Sequence, residues 1–149
     1  MARGGGALKK ALSAIEAISL AGAPLMLLGR VLMAVLFVRE GVVQLADMSG
    51  TMDYMRSFGV WPQLAPLVVL TELGGGLLIL FGLLTRLAAI GLAIFALLAA
   101  LFFHRDFSDL DEFIHFQKNL AIAGGFLALA AFGAGAWSLD AWLMKRLDS

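Results

Sequence analysis

The chain has 149 residues, 61% of them apolar and only 15% charged, against about a quarter charged in an ordinary soluble domain, so composition argues against a water-soluble fold. Eleven Lys and Arg balance eleven Asp and Glu, which leaves no net charge to draw the protein to nucleic acid or an acidic partner. Cysteine is absent, which excludes disulfides, thiolate metal sites and dithiol relays within the chain.

Residues 1–23 have some of the outline of a signal peptide, with Lys9 and Lys10, a mildly apolar run, and small residues at Ala21, Gly22 and Ala23. Glu16 interrupts that run. Leu8, Leu12, Ile15 and Ser19 recur at helical spacing beside the charges, which predicts an amphipathic helix lying on the cytoplasmic surface. Gly22 and Pro24 then turn the chain into the membrane.

Crossing a hydrocarbon core of about 30 Å takes roughly 20 helical residues, and residues 24–46, 64–84, 87–103 and 114–136 meet that need. The expected fold is all-α: an antiparallel bundle of four transmembrane helices over residues 24–143, with a cytoplasmic tail at 144–149. Glu72 does not disqualify the second span, because its many Leu, Val, Ile and Phe side chains outweigh about 3 kcal/mol for one central acid. The first connection, "DMSGTMDYMRSFGVWP", is too polar to cross and too apolar to hang free. It is expected in the interface, with Met52, Met55 and Phe58 on one face and Tyr54 and Trp61 at headgroup depth. Thr85 and Arg86 form a very short second connection, and "HRDFSDLDEF" is an acidic surface turn or helix start.

Arg3, Lys9, Lys10, Arg86, Lys145 and Arg146 fall on one side of such a bundle and only Arg56 and Arg105 on the other. Positive residues stay on the cytoplasmic side, so both termini are expected in the cytoplasm. Small residues mark expected packing seams: Gly74, Gly75, Gly76 and Gly82 in the second span, Ala89, Ala93, Ala96 and Ala100 in the third, Gly124, Ala128, Ala131 and Gly135 in the fourth.

Charges inside the spans are the candidate functional groups. Glu72 lies about 12 Å from the outer end of its span, Arg39 and Glu40 about 10 Å, Lys118 and Asn119 about 6 to 8 Å. Gln44 and Asp47 extend a polar stripe from Glu40 outward, and His104 ends the third span near the same level. These residues predict a polar cavity in the outer half of the bundle, in which cationic Arg39 and Lys118 share the depth of Glu72 and handle a ligand or a proton. The competing reading is an ion-pair network that sets helix register. Arg30 is expected to snorkel to phosphates or to pair with Asp140 in a structural role. His104 and His115 lie too near the interface for haem ligation and lack metal-motif spacing, so no metal site is expected.

The segments "GRVLMAVLFVREGVVQLAD", "LTELGGGLLILFGLLTRLAAIGLA" and "FQKNLAIAGGFLALAAFGAGAWSLDAW" resemble the DoxX family of small bacterial membrane proteins, over roughly residues 25–142. Gly29 with Arg30, Glu72 with Gly74, Gly75 and Gly82, then Thr85, Arg86, Lys118, Asn119, Gly133, Ser138 and Asp140 carry the likeness. Where the family often has a lysine late in the first span, this chain has Gln44. The resemblance implies a four-helix bundle in the bacterial cytoplasmic membrane, acting as a subunit of a redox or respiratory system and not catalytic alone. Three readings follow. The cavity holds a quinone or similar hydrophobic ligand, with Arg39 or Lys118 donating to it and Glu72 exchanging a proton. Alternatively the chain is a structural subunit that joins other membrane subunits or itself, or it is a small proton-coupled carrier.

Overall fold

The computed structural model describes residues 22–148; of the amphipathic segment expected over residues 1–23, all but Gly22 and Ala23 lies outside them, and those two begin the first long helix. Every regular element among the described residues is helical. α1 (Gly22–Ala46) leads into the short α2 (Met48–Ser57). The next long stretch, Pro62–Phe81, opens as a 3-10 turn, runs as α3 (Ala65–Val69), widens into a π-helical turn at Leu70–Gly74 and ends as α4 (Gly75–Phe81). α5 (Thr85–Phe103), α6 (Leu110–Phe132) and α7 (Leu139–Leu147) complete the order. Pro62–Phe81 and α5 are long and apolar enough to cross a membrane. At 25 and 23 residues, α1 and α6 are no shorter, but α1 carries Arg30, Arg39 and Glu40, and α6 carries Asp111, Glu112 and Lys118.

Local chemistry moves several boundaries from their expected places. Pro62 starts the second long helix two residues early because proline suits a first turn. Gly82, at φ +66°, ends it in the left-handed conformation that glycine adopts without penalty. The connection is therefore residues 82–84, and Thr85 and Arg86 already belong to α5. α6 begins at Leu110 rather than 114, since the Asp109 carboxylate accepts from the backbone N–H groups of Asp111 and Glu112. It stops at Phe132 rather than 136 because Gly133 takes φ +84°.

Glycine and alanine set how closely the helices approach. A Cβ on Gly41 would fall 2.7 Å from the backbone nitrogen of Leu73, and one on Gly76 would fall 3.0 Å from Val38 and 3.1 Å from Phe37. α1 therefore lies directly on the second long helix at two points. Ala89, Ala93, Ala96 and Ala100 are all buried along α5, which packs most extensively on α6. On α6 the expected seam is wrong. Gly124, Ala128, Ala131 and Gly135 are exposed, and the buried stripe is Ala123, Phe126 and Leu129. The alanine face of α5 and the large Phe126 of α6 belong to one buried core, so small residues are matched there with large ones. α1 and α6 do not pack backbone to backbone. They meet through the Phe37 and Phe126 rings, 5.2 Å apart edge to face, and through Met33 over Gly125.

Candidate functional site

The loose junction of α1 and α6 opens, toward the end where residues 47–61 and 104–109 lie, into a cavity of about 580 Å³, within the range of small-molecule sites. All four long helices and α2 line it. Phe37, Phe95, Phe103, Ile122 and Val68 supply apolar walls, and Tyr54 and Met55 come from α2. The polar lining is Glu40, Gln44, Glu72, His104, His115, Lys118 and Asn119.

α2 is positioned as the cover of this cavity by a chain of local bonds. The Asp47 carboxylate accepts from Gly50 N–H at 2.9 Å and from the Ser49 hydroxyl at 3.1 Å, and the Thr51 hydroxyl donates to the Asp47 carbonyl at 2.9 Å. A side chain at Gly50 would overlap the Asp47 carboxylate and displace it from its capping position. Asp47 is thus a helix cap and not the outer end of a cavity stripe. Tyr54 stacks on Phe103 at 5.4 Å and lies 4.9 Å from Phe58. Burial, and then the nearby Glu112 charge, push the Tyr54 phenol above its ordinary range, so it is a neutral hydrogen-bonding group.

Glu72 projects from the π-helical turn. One extra residue per turn there leaves the i to i−4 ladder and rotates the side chains on either side relative to one another. Glu72 is buried, and the Gln44 amide and the Glu40 carboxylate line the same cavity beside it. The expected cationic partner is not there. Among the described residues the ion pairs are Arg39 with Glu40, Arg56 with Asp53, and His104 with Glu112. Lys118 turns instead to His115, Nζ to Nδ1 at 2.9 Å. Two buried acceptors, Glu72 Oε2 and Gln44 Oε1, receive no hydrogen bond, and both belong to cavity-lining residues.

Of the residues singled out from sequence, Glu40, Gln44, Glu72, His104, Lys118 and Asn119 line one cavity. Arg39 does not. It points outward from α1 with its side chain 70% exposed, bonded to its neighbour Glu40, and borders a shallow apolar groove with Val35, Val42 and Leu80. Adjacent helical residues point about 100° apart, so Arg39 and Glu40 cannot both face inward. His115 and the α2 side chains belong to the site without having been assigned a role. His115 follows from its three-residue spacing to Lys118, which places both on one helix face, whereas nothing local announces that α2 folds back as a wall.

The opposite end of the bundle is tied, not hollow. The Asp140 carboxylate accepts from the Leu84 and Thr85 N–H groups at 2.8 and 3.0 Å, and its own N–H donates to the Gly82 carbonyl at 2.8 Å. Arg86 donates to the carbonyls of Ala130 and Ala131, both at 2.7 Å. The Ser138 hydroxyl accepts from Ala141 N–H at 3.2 Å as the cap of α7. Arg30, 1% exposed, donates to the Trp137 carbonyl. The expected Arg30 and Asp140 contact pair does not form, because Asp140 is committed to the start of α5, and Arg30 does not snorkel, because it is enclosed.

No cluster of three metal-ligating side chains occurs among the described residues. The DoxX family model matches residues 25–105, which takes in α1 through α5 and stops short of Lys118 and Asn119. Inner membrane protein YqjF of Escherichia coli (strain K12) is 47% identical over 120 residues, covering 80% of this chain and 92% of that protein. Inner membrane protein YphA of the same organism is 34% identical over 123 residues, covering 78% and 88%. No solved structure matches. The Arg30, Gly82, Thr85 and Arg86 positions that carried the likeness in sequence are the ones that tie the closed end, and with these matches the chain belongs to the DoxX family of membrane proteins.

Proposed function

We propose that the protein crosses the bacterial inner membrane four times with both termini in the cytoplasm, and serves a redox system by binding a hydrophobic ring ligand of the quinone class in its outer cavity. One observation carries this reading: a cavity of about 580 Å³ has aromatic walls and holds two buried acceptors, Glu72 Oε2 and Gln44 Oε1, that no protein donor satisfies. Buried acceptors left unpaired cost about 1 to 3 kcal/mol each, and the hydroxyls of a reduced quinone would satisfy them. When bound, such a ligand supplies two-electron chemistry coupled to protons. The chain's own part is to orient the ring between Phe37, Phe95 and Phe103, to donate from Lys118 or Asn119 at one side, and to take or return a proton at Glu72. The inner-membrane assignment rests on the two Escherichia coli relatives.

Mass spectrometry of everything that copurifies from native membranes in mild detergent tests the reading. A stoichiometric quinone in the wild type that is missing from Glu72→Gln, with both proteins folded, is the expected result. A defined set of partner polypeptides with no small molecule overturns it. That outcome favours a structural subunit, a second reading supported by the exposed stripe Gly124, Ala128 and Ala131 on α6, small residues of the kind that admit a partner helix.

A further inference from the structure

Beside the main cavity lies a second, of about 460 Å³, lined by Ser57, Phe58, Phe102, Phe103, Arg105, Asp106 and Glu112. Arg105 and Asp106 are exposed, so this is a polar cleft on the loop surface. Phe103 borders both spaces. A polar pair also joins them. Glu112, a lining residue of the cleft, bonds through Oε2 to Nδ1 of His104 at 2.8 Å, and His104 lines the main cavity. Inside, the His104 and His115 rings lie 5.1 Å apart at 30°, and His115 is bonded to Lys118.

We infer that Glu112 and His104 form the proton path between the surface cleft and the cavity. Nδ1 of His104 is engaged by Glu112, which leaves Nε2 to exchange on the cavity side. A proton arriving at Nε2 releases the Nδ1 proton to the Glu112 carboxylate, which passes it to the cleft; the inward path is the reverse, and no electron moves in either direction. The two imidazoles, 5.1 Å apart between ring centroids, sit together on the cavity side. The charged and titratable groups around this path are Glu112, Lys118 and His115 on α6, Tyr54 on α2, Glu40 on α1, Glu72 on the second long helix, and Arg105 and Asp106 beyond α5. The inference rests on Glu72 as the proton-handling group of the cavity and does not depend on the identity of any ligand.

Infrared spectroscopy of the purified full chain in lipid tests it, following the carboxyl band of Glu72, assigned by its loss in Glu72→Gln, after a pH jump. The wild type is expected to respond, His104→Ala and Glu112→Gln to respond about tenfold or more slowly, and added imidazole to restore His104→Ala. Unchanged rates in both variants, slowing that imidazole does not relieve, or a wild-type band that ignores the pH jump would each overturn the path. Failure to find a copurifying quinone bears on the function proposed above and leaves this measurement intact.

Discussion

At the scale of single residues, the closed end depends on Gly82 as well as on its charged side chains. A methyl group there would overlap the Arg30 guanidinium and sit 2.6 Å from Ser138 Cβ, on a backbone already at φ +66°. Gly82→Ala is expected to destabilise the protein by about 2 kcal/mol or more, read as a lowered midpoint of reversible unfolding in mixed micelles. Asp106 offers a milder case at the surface. The Ser108 hydroxyl at 2.5 Å, and then the Ser108 N–H at 3.1 Å, hold its carboxyl below the ordinary range. A carboxyl whose folded value is depressed contributes stability above its unfolded value and loses it as pH falls through the folded one. Ser108→Ala should therefore move the Asp106 titration, followed by carbon-13 shifts, back up toward that of a free aspartate.

At the scale of elements, contact between α1 and the second long helix is set by Gly41 against Leu73 and Gly76 against Val38. Gly41→Val forces these helices apart beside Glu72, and is expected to cost about 1 to 3 kcal/mol and to loosen the cavity floor. Equilibrium unfolding together with faster hydrogen exchange at Leu73 would check both. Long apolar runs made the helices themselves legible in the sequence, and depth counted along each run put Arg39, Glu40, Glu72, Lys118 and Asn119 in one half of the bundle, of which all but Arg39 line the cavity. Three features were not legible, each for a physical reason. The π-helical turn has the same apolar composition as an α-turn, so only the backbone reveals it. The phase of α6 puts large Phe126 in one core with the alanines of α5, a matter of volume and not of small-residue spacing. Asp140 bonds to residues 55 and 56 positions away, a distance over which sequence pattern says nothing about pairing.

At the scale of the whole molecule, the proposed orientation is directly measurable because the chain has no native cysteine. Ser57→Cys and Asp148→Cys, both at exposed positions, should react oppositely with a membrane-impermeant maleimide. Ser57→Cys is expected to label in intact cells and Asp148→Cys only after permeabilisation. Labelling of both from the same side would rule out four crossings.

The two ends of the bundle also differ in compliance. At one end, side chains grip backbone N–H and carbonyl groups, so the helices there are pinned. Toward the other, α1 meets α6 through side chains such as Phe37 and Met33, which turn without breaking a hydrogen bond. The molecule is thus built like tongs, tied below and held above by side chains, and in the four-crossing arrangement proposed above that seam would face the acyl chains. The hydrophobic guest proposed for the cavity would then enter sideways out of the bilayer without passing through water. Its occupancy is governed by its mole fraction in the lipid, so binding curves measured in vesicles should superimpose when plotted against guest per lipid and separate when plotted against guest per litre.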